Sequence, residues 1–133
     1  MCGIAGVLAS PGGDLTAITS QMVARIRYRG PDETGVWCDA KSGVGLGHAR
    51  LSVLDLSPAG QQPMRSPSGR YVIVFNGEIY NHLELRRQLG AAWRGHSDTE
   101  TLLASIETWG IEKRFGASRA CLRLPCGTGL MPA

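Results

Sequence analysis

The first thirty residues change from a strand pattern to a helix pattern. A short apolar run over residues 4–8 predicts a buried first strand. Apolar residues then recur at helical spacing, at Leu15, Ile18, Met22 and Ile26. This stripe predicts a helix over residues 14–28. The sequence Arg29-Gly30-Pro31-Asp32 should end that helix, because glycine allows positive φ and proline cannot continue a helix.

The middle of the chain has strand patterns followed by a helix pattern. Residues 35–39 and 44–51 predict two strands joined by a hairpin at 40–43. The continuous apolar run 71–75 predicts a strand that is buried on both faces. Asn76-Gly77 is typical of a hairpin turn, but no strand is expected after it, because Asn81 and Glu84 have the spacing of a helix capping box. Residues 76–78 should therefore form a strand-to-helix corner that presents an amide, an N–H and a carboxylate.

A second capping box, formed by Ser97 and Glu100, predicts one further helix. Its apolar positions are Leu102, Leu103, Ile106 and Trp109. Gly110 is expected to end it. Asp98 falls in the first turn, where an acid complements the positive end of the helix dipole.

Length and charge narrow the class of protein. The chain has 133 residues, enough for one domain, and 43% of them are hydrophobic, as in ordinary globular proteins. Three of the 14 basic residues lie in 114–133, where there is no acid, which leaves 11 basic against 11 acidic residues before it. Because no basic stripe is present, neither a nucleic acid nor an anionic membrane is expected as a partner.

The pattern at the start of the chain and the cysteine spacing bear on location and metal binding. The first residues lack the basic segment of a signal peptide, and no apolar run approaches the roughly 20 residues of a membrane span. A cytoplasmic location is therefore expected. Reduced thiols are then expected at Cys2, Cys38, Cys121 and Cys126. Their spacing matches no zinc pattern, so no metal site is expected.

Two residues stand out as candidate chemistry. Cys2 directly follows Met1, so removal of Met1 would give one residue both a thiol and a free α-amine, whose pKa of roughly 7.7–8.0 suits a base near neutral pH. The alternative is an ordinary buried cysteine in a first strand. Arg50 ends an apolar or small-residue run, where its guanidinium requires a carboxylate. That carboxylate could belong to a ligand or to one of the protein's own acids.

Five segments of the chain resemble the glutaminase domain of class II glutamine amidotransferases, and in particular the asparagine synthetase branch. They are MCGIAG (1–6), RGPD (29–32), GHARLSVLDLSPAGQQPM (47–64), YVIVFNGEIYN (71–81) and HSDTE (96–100). The segments follow the family's order and spacing over about residues 1–112. The resemblance implies an α+β fold, the four-layer αββα sandwich of the N-terminal nucleophile hydrolases, and residues 1–113 would encode part of it.

The resemblance also implies a role for each site residue. Cys2 would attack the side-chain amide of glutamine, and Asn76 and Gly77 would form the oxyanion hole. Arg50 would hold the α-carboxylate of glutamine. Its α-ammonium group would be held by Glu78 and Asp98. The pocket would be lined by main chain at Leu51, Ser52, Val53 and Leu54. Glutamate and ammonia would form through a thioester.

Beyond these residues, the resemblance implies a larger protein. A synthetase domain outside this chain would use ATP and Mg²⁺ to activate the carboxylate that accepts the ammonia, and family members can form homodimers. No cofactor is expected in the glutaminase part. Two alternatives are an amidotransferase that acts on sugars in surface-polysaccharide synthesis and a non-catalytic remnant that binds glutamine. Residues 114–133 depart from the family pattern. With one choice of codons, a shift of one nucleotide restores a family-like segment, so we interpret this tail as an out-of-frame translation.

Overall fold

The computed structural model describes residues 1–10, 13–52 and 57–111, together with the backbone of residues 120–121 and 131–132. The interpretation of residues 114–133 as an out-of-frame tail falls largely outside the described residues. Helices and antiparallel sheets alternate along the chain, so the protein is of the mixed α+β class.

The first sheet has three antiparallel strands in the order β1-β3-β2. Strand β1 is Gly3–Leu8, β2 is Glu33–Asp39 and β3 is Val44–Arg50. The predicted first strand and the predicted hairpin are therefore confirmed. The first strand is less buried than predicted, because β1 lies at the edge of the sheet and Leu8 is exposed. Every residue of the central strand β3 is buried.

Helix α1, Leu15–Ile26, packs on the first sheet, and a 3₁₀ turn at Arg27–Arg29 follows it. The helix itself was predicted correctly, but of its predicted apolar stripe only Leu15 is buried. Ile18 and Met22 are 42% and 36% exposed, whereas the buried residues are Leu15, Thr19 and Val23. The reason lies in β3: a Cβ at Gly45 or Gly47 would meet Thr19 or Val23, so these glycines let the helix come close to the strand.

A second antiparallel sheet contains β4 (Met64–Arg65), β5 (Tyr71–Ile73) and β8 (Met131–Pro132), in that order. The predicted strand over 71–75 is shorter as a strand, but all five residues are buried. Alternate side chains of this segment join different hydrophobic clusters. Val72 and Val74 pack with Val44 and Leu46 of β3. The other three residues pack in a cluster with Ile79, Leu85, Leu103 and Ile106.

The corner after this segment differs in two ways from the prediction. Glu78–Ile79 forms a two-residue strand, β6, paired with β7 (Ala120–Cys121), where no strand was expected. Helix α2, His82–Leu89, does begin after Asn81, but the predicted capping box is absent. The backbone of Asn81 has φ −99° and ψ 22°, outside the extended region in which a cap side chain reaches the next turn.

Helix α3, Asp98–Trp109, has the predicted cap, because the Ser97 hydroxyl accepts a hydrogen bond from the Glu100 N–H at 3.1 Å. It ends at Gly110, which has a positive φ of 80°. The Glu100 carboxylate is paired with Arg86 at 3.3 Å, which ties α3 to α2. None of the helices in the described part of the chain is long and apolar enough to cross a membrane.

Candidate active site

The thiol of Cys2 lies against the main chain at the end of β3. The Leu51 N–H donates to Cys2 Sγ at 3.3 Å, and the thiol is 3.6 Å from the Leu51 carbonyl oxygen, to which it can donate. Because β1 pairs with β3 up to Gly3 and Ala49, the residue before β1 necessarily meets the residues after β3. Leu51, one of the predicted site residues, is thus placed at the thiol through its main chain.

The carbonyl oxygen of Cys2 is held by two side chains from distant parts of the sequence. Asn76 Nδ2 donates to it at 3.0 Å, and Arg29 Nε donates to it at 3.3 Å. Asn76 was a predicted site residue, and the structure brings it to Cys2. Its carboxamide nitrogen carries two N–H donors, so one can hold the Cys2 carbonyl while the other points elsewhere.

The segment 30–32 fixes the end of β3, beside the thiol. A Cβ at Gly30 would collide with the main chain of Ala49 and Arg50, so only glycine allows this close approach. The Asp32 N–H donates to the Arg50 carbonyl at 3.1 Å, and the Asp32 carboxylate accepts from the Ser52 N–H at 2.8 Å. Ser52 is therefore held beside Leu51, while Val53 and Leu54 lie outside the described residues.

Arg50 is paired with an acid of the protein itself. Its Nη1 is 2.9 Å from Glu33 Oε2, with side chains that are 9% and 31% exposed, and the same nitrogen donates to the Ser57 carbonyl at 3.2 Å. This is one of the two partners that the sequence left open.

Asp98 is buried beneath the corner that contains Gly77 and Glu78. Asp98 Oδ2 accepts a hydrogen bond from the Ile79 N–H at 2.9 Å. Gly77 and Glu78 are exposed, next to Asn76 in the chain. The structure thus brings Leu51 and Asn76 each into contact with Cys2, and it bonds Asp98 to Ile79, the residue that follows Glu78.

His48 is a buried titratable residue in the central strand β3, two positions before Arg50. It is 1% exposed, and among the described residues neither of its ring nitrogens has a hydrogen-bond partner. Burial lowers the pKa of His48 from 6.5 to about 4, although the nearby main chain of Phe75 offsets part of that shift. The positive charge of Arg50 contributes to the lowering of this pKa, and the negative charge of Glu33 opposes it. His48 is therefore a neutral imidazole at pH 7.

Three residues of this region were missed as functional positions by the sequence analysis. Arg29 and Asp32 were interpreted as part of a helix stop and of a family-like segment, without a role at the site, yet one holds Cys2 and the other holds Ser52. A charged residue on each side of Gly-Pro was the available signal. Gln62 was not singled out at all, although it is buried and bonds to both Phe75 and Thr99. The sequence pattern does not indicate which of the two adjacent glutamines, Gln61 or Gln62, is the buried one.

The groups around Cys2 are therefore of two kinds. Its sulfur lies beside the main chain of Leu51, and its carbonyl oxygen accepts from the side chains of Asn76 and Arg29. Within residues 1–10, 13–52 and 57–111, no three His, Cys, Asp or Glu side chains form a cluster that could hold a metal ion.

Comparisons with known proteins identify the family of this chain. A family model described as a glutamine amidotransferase domain matches residues 1–117. The chain is 41% identical over 112 residues to the glutamine-hydrolyzing asparagine synthetase 1 of Bacillus subtilis, which covers 79% of this chain and 17% of that relative. It is 40% identical over 116 residues to asparagine synthetase 2 of the same organism, covering 84% of this chain and 15% of the relative.

A fungal relative matches the same region. The amidase chry2 of Gibberella zeae is 36% identical over 124 residues, covering 84% of this chain and 18% of the relative. The chain therefore spans less than a fifth of the length of each of these three relatives. The family match covers most of the chain, including Cys2 and every predicted site residue. This protein therefore belongs to the glutamine amidotransferase domain family, a family of enzymes.

Proposed function

We propose that this chain hydrolyses glutamine to glutamate and ammonia, with Cys2 as the nucleophile, as the glutaminase part of an asparagine-synthetase-like amidotransferase. The observation that carries the proposal is the contact of the Cys2 thiol with the Leu51 main chain, beside the Asn76 amide that binds the Cys2 carbonyl. The names of the two Bacillus subtilis relatives support asparagine synthesis over transfer to a sugar.

The proposed reaction requires removal of Met1. While Met1 is attached, the Cys2 nitrogen is a peptide amide and cannot act as a base. Once freed, the α-amine would take the thiol proton, and the sulfur would attack the side-chain carbonyl carbon of glutamine. The same amine would pass the proton to the leaving nitrogen, which departs as ammonia. Water would then hydrolyse the thioester, which releases glutamate and returns a proton to the sulfur.

The remaining site residues would bind the substrate and its charged intermediate. The second N–H of Asn76 Nδ2 and the Gly77 N–H would donate to the tetrahedral oxyanion, where loss of one donor costs about 3 kcal/mol. Arg50 would bind the α-carboxylate, at the end of β3 close to the thiol of Cys2. Glu78, which is exposed, and Asp98 would bind the α-ammonium group. Leu51, Ser52, Val53 and Leu54 would line the pocket.

We also propose that the two sheets form the middle layers of a four-layer αββα sandwich. The alternation of the segment 71–75 supports this: its Val72 and Val74 pack toward β3, while the other face packs toward α3. Helix α1 covers the opposite face of β3. In a complete synthetase, ATP and Mg²⁺ would activate the acceptor carboxylate in another domain, and no residue of this chain is assigned to them.

The test compares the two free cysteines that the structure describes, Cys2 and Cys38. The chain is incubated with a diazoketone analogue of glutamine and analysed by intact mass and peptide mapping. We expect Met1 to be absent and one label to be attached to Cys2. Glutamine should also be converted to equimolar glutamate and ammonia.

The matched variants decide between catalysis and binding alone. Cys2→Ala should lose both the label and the hydrolysis, whereas Cys38→Ala should keep both. A folded protein with Met1 removed that neither takes the label nor consumes glutamine would refute the proposed function and leave the non-catalytic alternative.

A further inference from the structure

Gln62 is a buried polar residue that no step of the proposed reaction uses. It is 7% exposed, and it precedes β4 in the loop between the two sheets. Its neighbour Gln61 has the same side chain but is exposed. Burying a carboxamide is unfavourable unless its hydrogen bonds are replaced, so the partners of Gln62 account for its position.

Both ends of the Gln62 carboxamide are bonded. Its Oε1 accepts a hydrogen bond from the Phe75 N–H at 2.6 Å, and its Nε2 donates to the Thr99 hydroxyl oxygen at 3.2 Å. Phe75 immediately precedes Asn76. Thr99 immediately follows Asp98 in the first turn of α3. One side chain thus connects the start of the corner to the helix that carries Asp98.

The other end of the corner is connected to the same helix turn. Asp98 accepts from the Ile79 N–H, so the segment from Phe75 to Ile79 is attached to α3 at both of its ends. One attachment is direct, and the other passes through Gln62. The three residues between these attachments are Asn76, Gly77 and Glu78, which supply the oxyanion donors and an ammonium ligand in the proposed function.

From this arrangement we infer that Gln62 is a positioning residue for glutamine hydrolysis: it holds the main chain of Phe75 so that the Asn76 amide and the Gly77 N–H converge on the oxyanion. The inference rests on the proposed function. Without the Gln62 carboxamide, the start of the corner would lose its hydrogen-bonded connection to α3 and keep only its apolar packing there. Asn76 would then be held less rigidly relative to Cys2.

The size of the effect follows from the geometry that oxyanion stabilisation needs. A displacement of about 1 Å at reacting groups can lower a rate by about a hundredfold, and loss of one donor lowers kcat by about 10²–10³-fold. Since Gln62→Met loosens the donors but leaves them in place, we expect kcat to fall by about tenfold to a hundredfold. KM should change less, because oxyanion donors act on the transition state more than on bound glutamine.

The experiment measures two reactions of Cys2 in the full 133-residue chain. Glutamine hydrolysis reports the oxyanion donors together with the thiol. Alkylation by iodoacetamide reports the thiol alone. The sulfur displaces iodide from the CH₂ carbon of this reagent, and no oxyanion forms at its carbonyl group. Gln62→Met should lose hydrolysis as above and keep an alkylation rate within about twofold of the unmodified chain. Gln61→Met, the matched control, should keep both.

A second variant covers the case in which Gln62→Met does not fold. Thr99→Val is nearly isosteric, removes only the acceptor for Nε2 and leaves the Phe75 bond, so it should lower kcat by a smaller factor. If both variants fold, adding Thr99→Val to Gln62→Met should cause little additional loss, because the two residues act through one connection.

The outcomes separate the two proposals. If the unmodified chain hydrolyses glutamine and Gln62→Met matches Gln61→Met, the inference is overturned and the proposed function stands. Equal losses of hydrolysis and alkylation in the Gln62 and Thr99 variants also overturn it, because they show general damage around Cys2. If the unmodified chain shows neither hydrolysis nor diazoketone labelling, the proposed function fails, and the inference fails with it.

Discussion

Burial of His48 predicts that the protein loses stability in mild acid, before its carboxyl groups titrate. The pKa of His48 is lowered from 6.5 to about 4 by burial. Below about pH 6.5 the unfolded chain therefore binds a proton at this residue, whereas the folded chain does not bind one until about pH 4. Because the unfolded state binds more protons in this window, the free energy of unfolding falls as the pH falls.

The magnitude follows from the two pKa values. One pKa unit corresponds to about 1.36 kcal/mol, so linkage predicts a loss of about 2 kcal/mol between pH 7 and pH 5 and about 3 kcal/mol by pH 4. The carboxyls with lowered pKa values act in a different window. The Ser42 hydroxyl lowers the pKa of Asp39, and the Ser68 hydroxyl lowers that of Glu107. Their contributions are present above their usual values of 3.8 and 4.5 and are lost only below them.

Urea unfolding at pH 7, 6 and 5 measures this effect. The His48→Gln variant should be less sensitive to pH than the unmodified chain, by about 2 kcal/mol over that range. The reasoning is refuted if His48→Gln and the unmodified chain show equal slopes of unfolding free energy against pH.

Two further predictions concern the segment 30–33. Gly30→Ala places a Cβ against the main chain of Ala49 and Arg50, so it should lower the free energy of unfolding by about 1–3 kcal/mol. The control is Gly13→Ala, where a Cβ meets no atom within 4 Å. Equal unfolding midpoints of the two variants in urea would contradict the packing argument. Glu33→Gln removes the charge paired with Arg50. If Arg50 binds the glutamine carboxylate, KM should fall by about twofold to fivefold, as expected for a partly exposed ion pair worth up to about 1 kcal/mol. The control Glu84→Gln, at an exposed position, should leave KM unchanged. A raised KM for Glu33→Gln would mean that Glu33 orients Arg50 instead.

The longer strands and the three α-helices of the described residues were readable from local patterns, because each is specified by neighbouring residues, whereas the two-residue strands β4 and β6 were not predicted. The hairpin of β2 and β3 and the Ser97 cap of α3 depend on turn residues and on one side-chain bond within a single turn. The buried face of α1 was not readable in this way. Its position depends on Gly45 and Gly47, which are far away in sequence and favour Thr19 over the larger Ile18 at the contact.

The site divides in a similar manner. Cys2 and Asn76 were predicted, and they lie together because the start of β1 and the end of the segment 71–75 are close in space. The supporting contacts of Arg29, Asp32 and Gln62 were not predicted. Each joins residues at least 13 positions apart in the chain, and the residue types alone do not indicate which main-chain atoms they reach. Their roles depend on tertiary structure rather than on a local motif.

The contact between Leu51 and the Cys2 sulfur is made by backbone atoms only. The side chain at position 51 therefore takes no part in this contact, and a different amino acid there would keep the same main-chain hydrogen bonds to the thiol. Proline is the exception, since it has no amide hydrogen to offer. An alanine scan would not detect this contact, because alanine keeps the main-chain N–H and C=O. Replacing the peptide group at position 51, for example by an ester, tests the placement of the thiol more directly.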